Sequence, residues 1–187
     1  MNHHQGYLES VRKPFLYYKT LGERTIAQLD EAALHWQYNE ESNSIAIIIK
    51  HMWGNMLSRW TDFLTTDGEK PWRQRDAEFE NEVPDKKTIM ARWEEGWNCL
   101  FQALDSLTAE DMDKIVYIRN EGHTIMEAIS RQLAHYCYHV GQIVFIGKMI
   151  KNETWQTLSI ARNHSAGYNA AKFAQEIGRR HFTDSEM

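Results

Sequence analysis

Apolar residues recur at spacings of three and four along several long segments of the chain, which predicts a mostly helical protein. The first segment runs from about Tyr7 to about Leu29. Pro14 either kinks this helix or marks the point where its regular part begins. Asp30 can then cap a short turn that follows the helix.

The second segment is the clearest helix. Asn43 and Ser44 are residue types that cap helix N-termini, and they stand directly before a run of isoleucines. We expect this helix to reach about Leu64, because residues 66–68 (Thr-Asp-Gly) break the pattern. Residues 68–84 then form a long irregular connection, and loops of that length in compact domains tend to be functional or mobile.

A third helix is predicted to begin after Pro84 and Asp85. Its apolar residues lie three and four positions apart and share one face: Ile89, Trp93, Trp97, Leu100, Leu104 and Leu107. Residues 114–124 are short and β-branched, with a turn expected at residues 120–122. This stretch can form a small hairpin, and a plain extended connector fits it equally well.

The fourth helix is predicted from a capping box in which Thr124 precedes Glu127 by three positions, and it reaches about Lys151. The stretch from Asn152 onward is weakly patterned and can wrap the bundle before fraying over residues 181–187. Four principal helices predict an all-α four-helix bundle with embellishments. Without internal repeats or low-complexity segments, residues 1–187 are expected to form one domain.

The composition narrows the function classes. The formal net charge of −5 argues against a nucleic-acid partner, since a negative protein repels phosphate backbones. The longest apolar run, residues 45–49, is too short to cross a bilayer, and the N-terminus lacks the pattern of a signal peptide. Two cysteines, Cys99 and Cys137, imply no disulfide framework. These features predict a cytoplasmic protein that acts on a small molecule.

His135 and His139 are the strongest candidates for metal ligands. Four residues apart on a helix, they project from one face, which lets two imidazoles reach one ion. That face also carries Gln132 and apolar residues, so the imidazoles would be costly to bury without a partner. The same pair is equally compatible with two core histidines satisfied by neighbouring side chains. A metal site would need a third ligand.

His51, central in the second helix, is the best candidate for that ligand, because bundles assemble ligands from facing helices. Its side of the helix also carries Asn55, Ser58 and Asp62, so periodicity slightly favours a solvated face there. Alternatively, Asn55 lies next to the ligands and helps to orient them, as Gln132 and Gln142 could on the fourth helix.

The stretches SNSIAIIIKHMWGNMLSRWTDFLTTDGEKPWRQRDAEF and HYCYHVGQIVFIGK resemble the DinB-like superfamily of metal-binding four-helix bundles, and looser similarity extends over nearly the whole chain. Within that superfamily the chain looks closest to a Bacillus-type subgroup of uncharacterised proteins. The resemblance implies that His51, His135 and His139 form a metal triad near one end of the bundle. It also implies a homodimer, which the sequence neither supports nor contradicts.

The superfamily includes thiol-dependent S-transferases, so the resemblance implies a divalent ion and a low-molecular-weight thiol such as bacillithiol. Histidine ligands suit zinc, nickel and iron alike, and we expect zinc or nickel. Three neutral imidazoles would leave coordination positions open for a thiol or for water. A thiol S-transferase and a metal-dependent hydrolase therefore both remain open. A non-catalytic, metal-stabilised binding domain is the third alternative.

The loop after the second helix supplies candidates for substrate binding. Lys70, Arg73 and Arg75 lie beside Trp72, and a guanidinium suits a carboxylate or a phosphate. The alternative is that the acidic residues of the loop merely neutralise these cations in surface ion pairs: Glu69, Asp76 and Glu78. Trp72, Arg73 and Arg75 are the residues we expect to contact a small anionic substrate if the loop folds over the metal.

Overall fold

The computed structural model describes residues 3–185 and contains the four long helices expected from the sequence. In chain order the elements are α1 (His3–Ile26), α2 (Glu31–Leu34), α3 (Ile45–Trp60), α4 (Lys86–Asp105), β1 (Ile115–Ile118), β2 (Glu121–Thr124), α5 (Ile125–Lys151) and α6 (Ser165–Phe173). Short 3-10 helices lie at Asp76–Phe79, Ala109–Asp111, Asn152–Thr154 and Phe182–Ser185. The predicted all-α class is therefore confirmed.

The bundle is built from two helix pairs, in which α3 packs along α4 and α1 packs along α5, with further contacts between α3 and α5. Aromatic rings fill its centre. Phe15 from α1, Trp97 from α4 and Tyr136 from α5 are all fully buried and pack edge-on or tilted against one another. The burial of these large rings supplies much of the apolar area that stabilises the fold.

Side-chain caps set the starts of the helices that carry the histidines. The Ser44 hydroxyl accepts the backbone N–H of Ile47 at the start of α3. At the start of α5, Thr124 and Glu127 form the reciprocal capping box that the sequence predicted. Because these caps satisfy otherwise unpaired N–H groups, they place the first turn of each helix.

Two helix ends differ from the expectation. Helix α1 ends at Ile26 rather than Leu29, and Pro14 lies inside it. Helix α3 ends at Trp60 rather than Leu64, because Thr61 is extended and Asp62 has a positive φ of 48°. Apolar residues beyond these points continue the pattern without continuing the helix.

Residues 115–124 form an antiparallel hairpin, so the extended connector is excluded. The expected turn at residues 120–122 is wrong by one position. The turn consists of Arg119 and Asn120, whose φ angles of 55° and 62° are typical of two-residue hairpin loops. The Asp67 carboxylate fixes this turn by accepting both of their backbone N–H groups, at 2.8 and 2.9 Å. The hairpin tip is thereby attached to the loop that follows α3.

The segment after α5 runs back along the bundle. Helix α6 is largely exposed, but the final 3-10 turn packs on α1, where Lys13 pairs with Asp184 and the rings of Tyr17 and Phe182 meet. Residues 182–185 are therefore held by contacts rather than frayed, whereas residues 1, 2, 186 and 187 lie outside the described part. No helix within residues 3–185 combines the length and the apolar character needed to span a membrane.

Candidate metal centre

Three histidine side chains meet where α3 crosses α5. His51 comes from the middle of α3, and His135 and His139 lie one turn apart on α5. The Nε2 atom of His135 lies 3.3 Å from that of His51 and 3.0 Å from that of His139. The three ligand atoms all lie within 4.8 Å of one another, so this cluster could hold a metal ion.

The spacing of these nitrogens matches a common metal geometry. A tetrahedral zinc ion with Zn–N bonds of about 2.0–2.1 Å separates its ligand nitrogens by about 3.3 Å. Nitrogen pairs at 3.0 and 3.3 Å are close to that value. An Nε2–H of His135 could donate to one neighbouring Nε2, whereas a shared cation would bind the lone pairs of all three nitrogens.

Two hydrogen bonds on the far side of the rings orient the imidazoles. His51 donates from Nδ1 to Oε2 of Glu78 at 2.9 Å, and His139 donates from Nδ1 to Oε1 of Gln142 at 2.8 Å. With the proton on Nδ1, the Nε2 lone pair of each ring is free to face the centre of the cluster. Such partners are the usual companions of histidine ligands.

Glu78 is the functional residue that sequence reasoning missed in this role. It lies in the 3-10 helix Asp76–Phe79, is 6% exposed, and binds Arg73 through two hydrogen bonds of 2.7 and 2.9 Å as well as binding His51. Gly54, one turn after His51, leaves the space for this carboxylate, since a methyl group there would overlap it. From the sequence, Glu78 was expected only to neutralise the cations of its own loop, because an irregular loop has no periodicity that relates the position of Glu78 to α3.

The predicted solvated face around His51 is wrong. His51, Asn55 and Ser58 are at most 5% exposed, because the loop after α3 folds over them. The Ser58 hydroxyl donates to the carbonyl oxygen of Gly68 and accepts the backbone N–H of Lys70, which holds the loop down. The polar stripe on α3 therefore binds a loop rather than water.

Two further candidates lie beside the triad without contacting it by hydrogen bonds. Asn55 accepts a hydrogen bond from the hydroxyl of Tyr136, which in turn accepts one from Trp60, both at 3.0 Å. Gln132 is 4% exposed, and its Oε1 has no hydrogen-bond partner among the described residues. Asn55 thus stabilises the core next to the triad through its bond to Tyr136, whereas Oε1 of Gln132 is left without a hydrogen-bond donor in the described structure.

Burial shifts the protonation of the α5 histidines. Desolvation, with a contribution from neighbouring His139, lowers the pKa of His135 to about 3. Desolvation also lowers the pKa of His139 to about 4, against the opposing effect of Gln142. Burial alone would raise the pKa of Glu78, but its bonds from His51 and Arg73 outweigh this and the pKa is lowered. At neutral pH the two imidazoles are neutral and Glu78 is ionised.

The predicted substrate residues are separated by the fold. Trp72 is about half exposed and lies outside the cavity that adjoins the triad. Arg73 is buried and paired with Glu78, rather than forming the expected surface ion pair. Arg75 does line the cavity, together with His51 and His135. Of the three loop residues, only Arg75 is both exposed and next to the triad.

Two cavities flank the cluster along α5. One, of about 230 Å³, lies towards the N-terminal side of the pair and is lined by Gln132 and His135. The other, of about 570 Å³, lies towards the C-terminal side and is largely aromatic and apolar. Its walls include Trp36, Tyr38, Tyr138, Gln142, Phe145 and Met149. The triad therefore has a polar cavity on one side and an apolar one on the other.

The fold and the cluster define a helical-bundle protein with three converging histidines. A family model described as "Protein of unknown function (DUF1572)" matches residues 2–164, and the chain belongs to this family. No curated protein and no solved structure matches the chain.

The lowered pKa values predict a pH dependence of stability in the metal-free protein. Between about pH 4 and 6.5, an unfolded chain protonates both α5 histidines while the folded chain does not. The free energy of unfolding should therefore fall as the pH drops through this window. Urea unfolding at pH 7 and pH 4.5 should show a larger loss for wild type than for the His135→Gln/His139→Gln double variant. Equal losses would contradict these shifts.

Proposed function

We propose that the protein binds one divalent metal ion, zinc or nickel, through His51, His135 and His139, and that it is a metal-dependent enzyme of the DinB-like superfamily. The observation that carries this proposal is the convergence of three histidines, in which Nε2 of His135 lies 3.3 Å from that of His51 and 3.0 Å from that of His139, and all three ligand atoms lie within 4.8 Å of one another. Imidazole nitrogen suits zinc, nickel and iron alike, so the geometry supports the ligand set rather than the element.

The ligand set favours an open site over a purely structural one. Structural zinc sites usually have four protein ligands, often including cysteine. Within the described residues the cluster contains three histidines and neither cysteine. Cys99 lies beside Thr61, while burial raises the pKa of Cys137 to about 11, and its side chain contacts Tyr18. One or more coordination positions would thus be left for solvent or substrate.

A divalent ion held by three neutral imidazoles keeps its charge and lowers the pKa of a thiol or water that reaches it. The role of the protein's own residues would be to hold the ion and to orient the group that reacts there. Glu78 contacts the triad but is a poor proton acceptor, because its lowered pKa and its bonds to His51 and Arg73 keep it ionised and occupied.

Within the described residues, no carboxylate lines the polar cavity beside the triad, so the site has no evident general base, which favours a thiol over water. A thiol with an ordinary pKa of about 8.5 loses its proton far more readily than water does at about 15.7. In S-transfer the thiol proton goes to solvent, sulfur bonds to an electrophilic carbon, and the leaving group departs with its electron pair. The aromatic cavity beside Gln142 would accommodate an apolar electrophile.

The experiment that tests this proposal combines metal analysis with a reaction assay. We expect about one divalent ion per chain in protein purified without a metal-affinity column. Substitution of His51, His135 or His139 by Ala should each remove most of it, because two imidazoles rarely hold an ion tightly. Loaded wild type should accelerate thiol addition to a chromogenic electrophile, and the variants should not. Full metal occupancy in His51→Ala would refute the proposed triad. If wild type binds the metal but does not accelerate thiol addition, the remaining alternatives are a metal-dependent hydrolase and a non-catalytic binding domain.

The role of Glu78 gives a second prediction. Glu78→Gln should weaken metal binding by about 10–100-fold, the usual effect of losing a ligand's hydrogen-bonded carboxylate. Gly54→Ala should weaken it in the same direction, because the added methyl group displaces that carboxylate. Gly141→Ala is the matched control, since apart from its chain neighbours and its own helix backbone no described atom lies within 4 Å of the position of its added Cβ. Competition titration with a chromogenic chelator measures the affinities, and wild-type affinity in both Glu78→Gln and Gly54→Ala would show that the carboxylate does not act on His51.

A further inference from the structure

Arginines from four separate parts of the chain surround the 230 Å³ cavity beside the triad. They come from α3, from the loop after it, from the hairpin turn and from α5: Arg59, Arg73, Arg75, Arg119 and Arg131. The whole chain has a net charge of −5, so this concentration of guanidinium groups is local. Clefts lined by one sign of charge focus the field and attract ligands of the opposite sign.

The carboxylates around the cavity do not balance these cations. Glu78 is engaged by Arg73 and His51, and Glu69 is shared by three arginines, since Arg59, Arg73 and Arg119 all lie within 3.4 Å of its Oε2.

Two arginines remain after Glu69 and Glu78 have been assigned. Within the described residues, the ion pair of Arg75 is with the fully exposed Asp76 at 3.8 Å, and its guanidinium also lies over the ring of Phe79, 5.3 Å from the centroid. Arg131 has no ion pair among the described residues and donates to Nε2 of His123 at 3.0 Å. Among the described residues, the ion pairs of these five guanidinium groups involve three carboxylates, Glu69, Glu78 and Asp76, so the guanidinium groups outnumber their direct partners.

Two buried polar atoms on the cavity wall also lack partners. Gln132 is 4% exposed and Arg59 is 6% exposed, yet neither Oε1 of Gln132 nor Nε of Arg59 makes a hydrogen bond within the described residues. Buried polar groups are normally hydrogen-bonded, and leaving one unmade is costly. Both side chains line the arginine cavity, and Nε of Arg59 is a donor of the kind that an anion needs, whereas Oε1 of Gln132 can only accept.

We propose that this cavity binds the carboxylate or phosphate group of the small molecule that reacts at the metal. The inference rests on the proposed function and names the chemical class of its substrate or thiol. Guanidinium groups bind both anions with paired hydrogen bonds. A volume of about 230 Å³ is below the range of pockets for drug-sized ligands, which suits a single small anionic group.

The arrangement on α5 would place this anion next to the reacting atom. Arg131 precedes His135 by one helical turn, so both project from the same face of the helix. Arg75, Arg119 and Arg131 are exposed at the cavity mouth, while Arg59 and Arg73 are buried behind them. A ligand whose anionic group meets the exposed arginines can reach the Nε2 atoms with its other end.

A pair of matched thiols tests this proposal. The full-length protein loaded with Co²⁺ would be titrated with 3-mercaptopropionate and with neutral 3-mercaptopropanol, and binding would be followed by the absorption spectrum of the cobalt. We expect the carboxylate thiol to bind at least tenfold more tightly. Arg131→Gln and Arg119→Gln should each reduce this preference, because each removes a charged hydrogen-bond donor. Arg162→Gln, which removes one exposed charge elsewhere, should not.

A second arm separates the anion pocket from the thiol chemistry. Calorimetric titration of the metal-free proteins with inorganic phosphate and with succinate should show binding of at least one anion to wild type. That binding should be at least tenfold weaker in Arg131→Gln but unchanged in Arg162→Gln, and the tighter anion identifies the preferred group. The proposed anion pocket is refuted if wild type binds neither anion. It is also refuted if Arg119→Gln and Arg131→Gln both bind the anion with wild-type affinity. No cobalt response to either thiol, with anion binding intact, instead refutes the thiol reaction and supports the pocket.

Discussion

The buried carboxylate of Glu78 holds together the region on which the candidate site depends. It accepts from Nδ1 of His51 and from two nitrogens of Arg73, so one side chain joins α3 to the loop that covers it. Because the Glu78 carboxylate is buried in a low-dielectric environment, its negative charge needs both of its partners, His51 and Arg73. Removing one partner of a buried pair typically costs about 3–5 kcal/mol, because the remaining charge stays buried. The loop position, the His51 orientation and the charge of Arg73 are therefore coupled.

The same coupling explains why a polar site can lie inside an aromatic bundle. Below the triad, Tyr136 satisfies both Asn55 and Trp60, so the polar atoms of α3 that face α5 are paired. Above it, the carbonyl oxygen of Gly68 in the loop accepts hydrogen bonds from the Ser58 hydroxyl and from Nη1 of Arg59. Among the described residues, four buried side-chain atoms have no hydrogen-bond partner. Two of them, Nε of Arg59 and Oε1 of Gln132, belong to side chains that line the arginine cavity, and the other two are the indole nitrogens of Trp93 and Trp97 in the core.

Sequence patterns predicted the parts of this structure that depend on local chemistry. The caps at Ser44 and Thr124 follow from side chains that reach backbone N–H groups within the next turn, and the shared face of His135 and His139 follows from helical geometry. The prediction from periodicity failed at His51, because periodicity assigns a polar helix face to solvent and carries no information about a loop that packs over that face.

The residues missed by sequence reasoning all act through contacts that join distant segments. Glu78 meets His51 across 27 positions, and Arg119 reaches the cavity because Asp67 holds the hairpin turn against the loop. Arg131 was overlooked because a lone exposed arginine on a helix ordinarily has no particular role. No local spacing in the sequence relates these residues to one another.

X-ray absorption spectroscopy of the metal-loaded protein tests the central claim most directly, because it reports the atoms bound to the ion. The account predicts three imidazole nitrogens at about 2.0–2.1 Å together with at least one light solvent ligand, and no sulfur until a thiol is added. Addition of 3-mercaptopropionate should then introduce one sulfur at about 2.3 Å. A sulfur ligand from the protein itself, or fewer than three imidazoles, would contradict the account.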